Sequence, residues 1–245
     1  MLKAVLFDLG GTLVHYDSDK ADFNELEKRS AAALYRHLAA NGQMALPETA
    51  FLTALRSRVE AEWQTALASH RGGSVETPVK AALADMGLSF TEAEWQAARQ
   101  VFYGPVHQAA EPRPGARQTL QILSRQGVAL GLLSNTFWAA DVHDADLARF
   151  GLLDLLPARF YSCDIGRTKP HPEAFEIALA ALGVKPNETV YVGDRLETDV
   201  EPARRLGLWG VLITVPFRHE HSDKIMPDAI ITELLELIKL LERRR

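Results

Sequence analysis

Short apolar runs bounded by turn residues recur along the chain, at Ala4–Phe7, Val128–Leu133, Arg159–Cys163, Thr189–Val192 and Gly210–Thr214. Runs this short, with little polar alternation, predict parallel strands buried on both faces. Helical patterns lie between them. Pro114–Gln126 opens on proline and stops at Gly127, the polarity a helix favours. His171–Leu182 and Glu197–Leu206 stop at Gly183 and Gly207, and Thr232–Arg243 closes the chain. Strands alternating with helices predict an α/β protein built on a parallel sheet.

One stretch breaks the rhythm. Asp22–Ala40, Pro47–Ser69, Val75–Met86 and Thr91–Ala110 carry helical patterns, with breaks at Asn41-Gly42, Arg71-Gly72-Gly73 and Gly87. No strand pattern interrupts them. The expectation is an all-helical module over residues 17–106, inserted into a core formed by residues 1–16 and 107–245.

Composition narrows the function classes. The 245 residues are 47% hydrophobic and 24% charged, as in ordinary globular proteins. A net charge of −5 argues against nucleic acid as a partner. No apolar stretch reaches the roughly 18 residues of a membrane span, and no signal peptide is evident. The lone Cys163 cannot form an internal disulfide and reads as a small hydrophobe, so a cytoplasmic location is expected. His219 and His221 read as solvated loop residues, and nothing in the sequence indicates an oligomeric state.

Ligands of open α/β sheets bind outside the carboxyl ends of the strands. Asp8 follows the first predicted strand, Ser134 and Asn135 the second, Lys169 the third, and Asp194 and Asp199 the fourth. The set combines a nucleophile candidate, a hydroxyl, a cation and an acidic pair. Hard oxygen ligands in small number suit Mg²⁺. Asp8, Asp194 and the Gly10 carbonyl are candidate ligands, with Asp199 holding a coordinated water. Lys169 and Ser134 are placed to hold phosphoryl oxygens, and cations there would offset repulsion between an anionic nucleophile and an anionic substrate.

These stretches resemble the motifs of the haloacid dehalogenase superfamily, most of whose members are Mg²⁺-dependent phosphatases. DLGGTLV is similar to the first motif, Ser134 to the second, Lys169 to the third and GDRLETD to the fourth. The resemblance covers the whole chain. It implies a Rossmann-like core with strand order 5-4-1-2-3 and a helical C1-type cap at the insert. It further implies an aspartyl-phosphate on Asp8 and a small phosphorylated metabolite as substrate. Gly11 and Thr12 are expected to shape the turn and offer N–H groups to the phosphate, and Asn135 to orient the phosphate or cap a helix.

One position departs from the pattern. The family's phosphatases usually carry a second aspartate two residues after the nucleophile, where this chain has Gly10. General acid–base help is worth roughly 10²–10⁴ in rate, or about 3–5 kcal/mol of barrier. Three readings follow. The chain is a phosphatase for good leaving groups, or one with a surrogate acid such as His15 or Asp17. Alternatively it resembles the phosphonatases, whose cap lysine would be Lys20, Lys28 or Lys80 here, or the dehalogenases, against which the pair Asp194 and Asp199 argues. The third is a weakly active or non-catalytic protein that binds a phosphorylated metabolite or a partner.

Overall fold

The computed structural model describes residues 2–16, 23–216 and 222–243; Asp17, Lys20, His219 and His221 lie outside them. The chain opens with strand β1 (Ala4–Phe7) and a short β2 (Val14–His15). Four helices follow: α1 (Phe23–Ala40), α2 (Glu48–Ser69), α3 (Glu76–Asp85) and α4 (Glu92–Ala109). The chain returns through β3 (Glu111–Pro112), α5 (Ala116–Arg125), β4 (Ala129–Ser134) and α6 (Ala140–Arg149). Then come β5 (Ala158–Tyr161), α7 (Ser162–Ile165), α8 (Pro172–Leu182) and β6 (Thr189–Gly193). A π-helical turn (Leu196–Val200), α9 (Glu201–Arg205), β7 (Trp209–Ile213), β8 (Ala229–Ile231) and α10 (Glu236–Glu242) complete it.

Six strands form one sheet in the order β5-β4-β1-β6-β7-β8, with every pair parallel. Counted as core strands one to five, β1, β4, β5, β6 and β7 stand in the expected order 5-4-1-2-3. The sheet differs from that expectation by β8, which adds a sixth strand beyond β7.

Side-chain alternation explains why the runs lack polar positions. Val5, Phe7, Leu130, Leu132, Val190 and Val192 enter one apolar layer with Leu120 and Leu123 of α5 and Leu237 of α10. Leu6, Leu133 and Tyr191 point the other way, onto Ala174, Phe175 and Ala178 of α8. Both faces of the sheet are therefore covered by helices, as parallel strands require. No helix among the described residues is long and apolar enough to cross a membrane.

The four insert helices lie between β2 and β3, which pair antiparallel with Val14 opposite Pro112 and His15 opposite Glu111. The chain thus leaves and re-enters the core side by side. Helix α4 begins on a capping box, in which Thr91 Oγ1 accepts from the Glu94 N–H at 3.3 Å and Glu94 Oε2 from the Thr91 N–H at 2.7 Å. It continues to Ala109, past the junction expected at Val106.

Three element boundaries are corrected. The third core strand ends at Tyr161, and Cys163 sits in α7, half-buried, where burial pushes its thiol up to about 12. The helix expected over Glu197–Leu206 begins as the π-turn, which carries Asp199 inward, and is regular only from Glu201. The last helix starts at Glu236 because its carboxylate accepts from the Thr232 N–H and hydroxyl, at 3.2 and 2.8 Å, and holds the preceding turn.

Candidate active site

Parallel pairing brings the carboxyl ends of β1, β4 and β6 to one edge, with Phe7 level with Leu132 and Val192. Asp8 continues β1 beyond that edge, and its N–H donates to the Val192 carbonyl at 2.9 Å. Asp194 follows β6 directly, and Lys169 arrives on the loop before α8. That helix is primed by Pro172 at its start and by His171 Nδ1, which accepts from the Glu173 N–H at 3.3 Å.

Lys169 is the hub. Its ammonium has three N–H donors. They meet Asp8 Oδ1, Asp199 Oδ1 and the Tyr191 hydroxyl oxygen, each at 2.7 Å. The Tyr191 hydroxyl in turn donates to the Leu133 carbonyl at 3.0 Å. Burial alone would push the lysine pKa down, but Asp199 and Asp8 beside it hold it above its ordinary value. The group is therefore a fixed ammonium. Asp199 is completed by the Arg195 N–H, which donates to its Oδ2 at 3.1 Å.

The donor set fits a small hard cation. One oxygen each from Asp8, Asp194 and Asp199 lie within 4.8 Å of one another, and all three residues are buried. Three carboxylates, with the Lys169 ammonium among them and the Arg113 guanidinium acting on Asp194, still leave an excess of negative charge that a bound cation would offset. Two glycines make room for it. Gly11 has φ +83°, and a Cβ there would stand 2.3 Å from Asp194 Oδ2. A Cβ on Gly193 would stand 2.5 Å from the Asp199 Cβ. Gly10 is the opposite case: it is exposed, and a Cβ would meet nothing within 4 Å.

Asp8, Lys169 and Asp199, with Gly10, Gly11, Ser134 and Asn135, line one cavity of about 640 Å³ between core and insert. The Ser134 hydroxyl is buried there, with only a 3.5 Å contact to the Asn135 carbonyl. As expected of residues that shape the turn, the Gly11 N–H donates to the Val14 carbonyl at 2.8 Å and the Thr12 N–H to the Leu9 carbonyl at 3.2 Å. Thr12 is also fully enclosed, and its Oγ1 has no protein partner among the described residues. The Asn135 amide grips the main chain of Lys169, at 2.7 Å to both the carbonyl and the N–H.

Several site residues escape sequence reasoning. Tyr191 looks like one more apolar position of a buried strand. Arg113 is buried and donates to the carbonyls of Gly11, Thr214 and Thr232, lashing the nucleophile turn to two distant loops. Its flanking prolines, Pro112 and Pro114, are the one hint of a fixed backbone there. The His143 imidazole bridges the Tyr16 hydroxyl at 2.9 Å and Thr136 Oγ1 at 2.6 Å, and all three residues line the cavity. Burial pushes His143 down to about 4. Trp138, Trp63, Thr198 and His15 line the cavity too, whereas Arg29 pairs with Glu25 and Arg58 with Asp85 on exposed helix faces.

Comparison with known proteins agrees with this geometry. The chain is 32% identical over 131 residues to a glyceraldehyde 3-phosphate phosphatase of Methanocaldococcus jannaschii, which covers 54% of this chain and 57% of the relative. The chain spans little more than half the length of this and two further glyceraldehyde 3-phosphate phosphatases. A phosphoglycolate phosphatase of Pseudomonas putida is 29% identical over 252 residues, covering 96% of this chain and 78% of the relative. Among solved structures, a 2-haloacid dehalogenase from Pseudomonas syringae pv. Tomato superposes with a TM-score of 0.75 at 26% identity, covering 100% of both chains. A phosphatase from Thermococcus onnurineus gives 0.66 at 24% identity, covering 98% of both, a likeness of fold. The family model for haloacid dehalogenase-like hydrolases matches residues 2–207. With that match spanning most of the chain, and with Asp8, Lys169, Asp194 and Asp199 gathered at one sheet edge, the protein belongs to the haloacid dehalogenase-like hydrolases.

Proposed function

We propose that the protein hydrolyses small phosphate monoesters through a covalent phosphoryl group on Asp8. The observation that supports this most is the convergence of Asp8, Lys169, Asp194 and Asp199 in one buried cluster. Asp8, Asp194 and Asp199 would hold Mg²⁺, with the Gly10 carbonyl a further candidate ligand. When bound, the ion supplies positive charge against the phosphoryl oxygens. An Asp8 carboxylate oxygen attacks phosphorus, the ester P–O bond breaks, and the alcohol oxygen leaves with the electron pair. Lys169 keeps Asp8 oriented and holds a positive charge at the site where charge accumulates. Ser134 contributes a hydroxyl to the phosphoryl oxygens. Water then attacks the aspartyl-phosphate, restoring Asp8 and releasing inorganic phosphate. The helical insert acts as a cap over the cavity and shields the reaction from bulk water.

The test is phosphate release from 4-nitrophenyl phosphate with Mg²⁺, with excess chelator, and with Asp8→Asn. Turnover should need the metal and vanish in the variant; turnover indifferent to Asp8→Asn would refute the assignment. The likeness to the P. syringae dehalogenase supports a second reading, halide displacement from a 2-haloacid by Asp8. That chemistry has no need of Asp194 beside Asp8 and Asp199. Metal-independent chloride release from 2-chloropropionate would select it.

A further inference from the structure

The walls of the cavity carry information about the rest of the substrate. We propose, resting on the phosphatase reading, that the phosphoryl group arrives on a flat, uncharged aromatic alcohol rather than on a small carboxylate or a second phosphate. Three observations point the same way.

The first is the wall itself. Trp63 of the insert and Phe137 of the core pack against each other in the cavity wall, with ring centroids 5.0 Å apart and tilted by 50°. Beside them Trp138 and Tyr16 meet edge to face at 5.6 Å. Rings from insert and core make a continuous aromatic wall, against which another ring gains both burial and favourable ring–ring geometry. At about 640 Å³ the cavity falls within the usual range for sites that bury whole organic ligands, and a three-carbon phosphate would fill little of it.

The second is charge. Among the described residues lining the cavity the cations are Lys169 and Arg195, both on the core side. Among its described residues the insert contributes Glu27 and Glu60 and no cation. A carboxylate or second phosphate reaching the insert side would meet Glu27, Glu60 and aromatic faces there, with Arg195 the cation left on the core side.

The third is Gly10. Position 10 lines the cavity and carries no proton donor, and the space beside it is open. The imidazole of His143 and the hydroxyl of Tyr16 are bonded to each other. With no donor at position 10, an acidic alcohol is the better leaving group. A phenol ionises near about 10, as tyrosine does, whereas water itself ionises near about 15.7. Aryloxide therefore departs with the P–O electrons unaided and takes its proton from water after release.

The experiment is a panel of monoesters assayed by phosphate release: 2-naphthyl, phenyl, 4-carboxyphenyl and ethyl phosphate, phosphoglycolate and glyceraldehyde 3-phosphate. Naphthyl and phenyl phosphate should lead. Phenyl should exceed 4-carboxyphenyl phosphate by at least tenfold in kcat/KM, although the added carboxylate does not make the phenol a worse leaving group. Trp63→Ala should raise KM for the naphthyl ester and cut the naphthyl-to-ethyl ratio of kcat/KM at least tenfold, and Trp63→Leu serves if the alanine variant does not fold. Binding to the Asp8→Asn protein gives a readout without turnover: naphthyl phosphate should quench tryptophan fluorescence at least tenfold more tightly than phosphoglycolate. Preference for phosphoglycolate or glyceraldehyde 3-phosphate in either assay would overturn the aryl proposal while leaving the phosphatase reading standing. Preferential naphthyl binding with no hydrolysis of any ester would overturn the phosphatase reading instead.

Discussion

Asn135 holds Lys169 by its main chain from both sides, donating to the lysine carbonyl and accepting from the lysine N–H, each at 2.7 Å. The reactive ammonium is thus aimed by a side chain on the neighbouring strand's loop. Asn135→Ala strands two peptide groups in a part-buried loop, at a cost of about 1–3 kcal/mol for each that stays unsatisfied. We expect a lower melting temperature and a 10–100-fold lower kcat with KM within a factor of three. A variant with full kcat would show that the clamp is dispensable.

Removing the ammonium exposes the charge it balances. In Lys169→Met, Asp8 and Asp199 face each other without a counter-ion, which for buried pairs costs about 3–5 kcal/mol. Activity should be lost. The melting temperature should fall, and Mg²⁺ should raise it more in the variant than in the wild type, because a bound cation then supplies the missing positive charge. Equal Mg²⁺ responses in thermal melts would contradict this.

Adjacent glycines should behave oppositely. Gly11→Ala combines a left-handed backbone with a Cβ only 2.3 Å from Asp194 Oδ2. It should destabilise by more than the roughly 1–2 kcal/mol of the conformational penalty alone, and the Mg²⁺ concentration giving half-maximal rate should rise. At Gly10 an added Cβ meets nothing within 4 Å, so Gly10→Asp starts in open space. It should fold normally and accelerate poor leaving groups such as ethyl phosphate by up to roughly 10²–10⁴, with little gain for 4-nitrophenyl phosphate. A uniform change across leaving groups would mean that protonation does not limit the wild type.

His143 links stability to pH. Burial lowers its pKa in the folded protein from 6.5 to about 4. Between those values the unfolded chain binds the extra proton, so stability is fully present above pH 6.5 and declines as pH falls towards 4. The loss should reach about 2 kcal/mol by pH 5. Denaturation midpoints measured from pH 7 to pH 4.5 should fall less steeply in His143→Gln than in the wild type; parallel slopes would remove His143 as the cause.

Periodicity reveals the elements that are apolar or amphipathic throughout. The core strands and the insert helices α1 to α4 are of this kind, and their spacing carries most of the architecture. Helix α6 is invisible to it because His143 and Asp146 are buried polar residues on its inner face, and they erase the contrast on which a helical stripe depends. Strand β8 is three residues long, with Ile230 exposed, too short for a pattern. At the site, the residues at strand ends are legible because topology alone gathers them. Tyr191 and Arg113 are not, since each acts through one polar atom at the end of a buried side chain. Asn135 is visible as a polar residue near the centre, but its partner is a peptide group, and no side-chain chemistry announces that.

The turn bearing Asp8 and the seam to the insert are a single piece of backbone. Gly10 bridges to Val14, Val14 lies opposite Pro112, and the Arg113 N–H donates to the Leu13 carbonyl at 2.9 Å. Asp8 therefore sits on the short arm of a lever whose long arm is the set of insert helices. A tilt of those helices, including one imposed by a guest wedged beneath them, would reach Asp8 as torque on its own turn, as well as through the side chains that join insert to core.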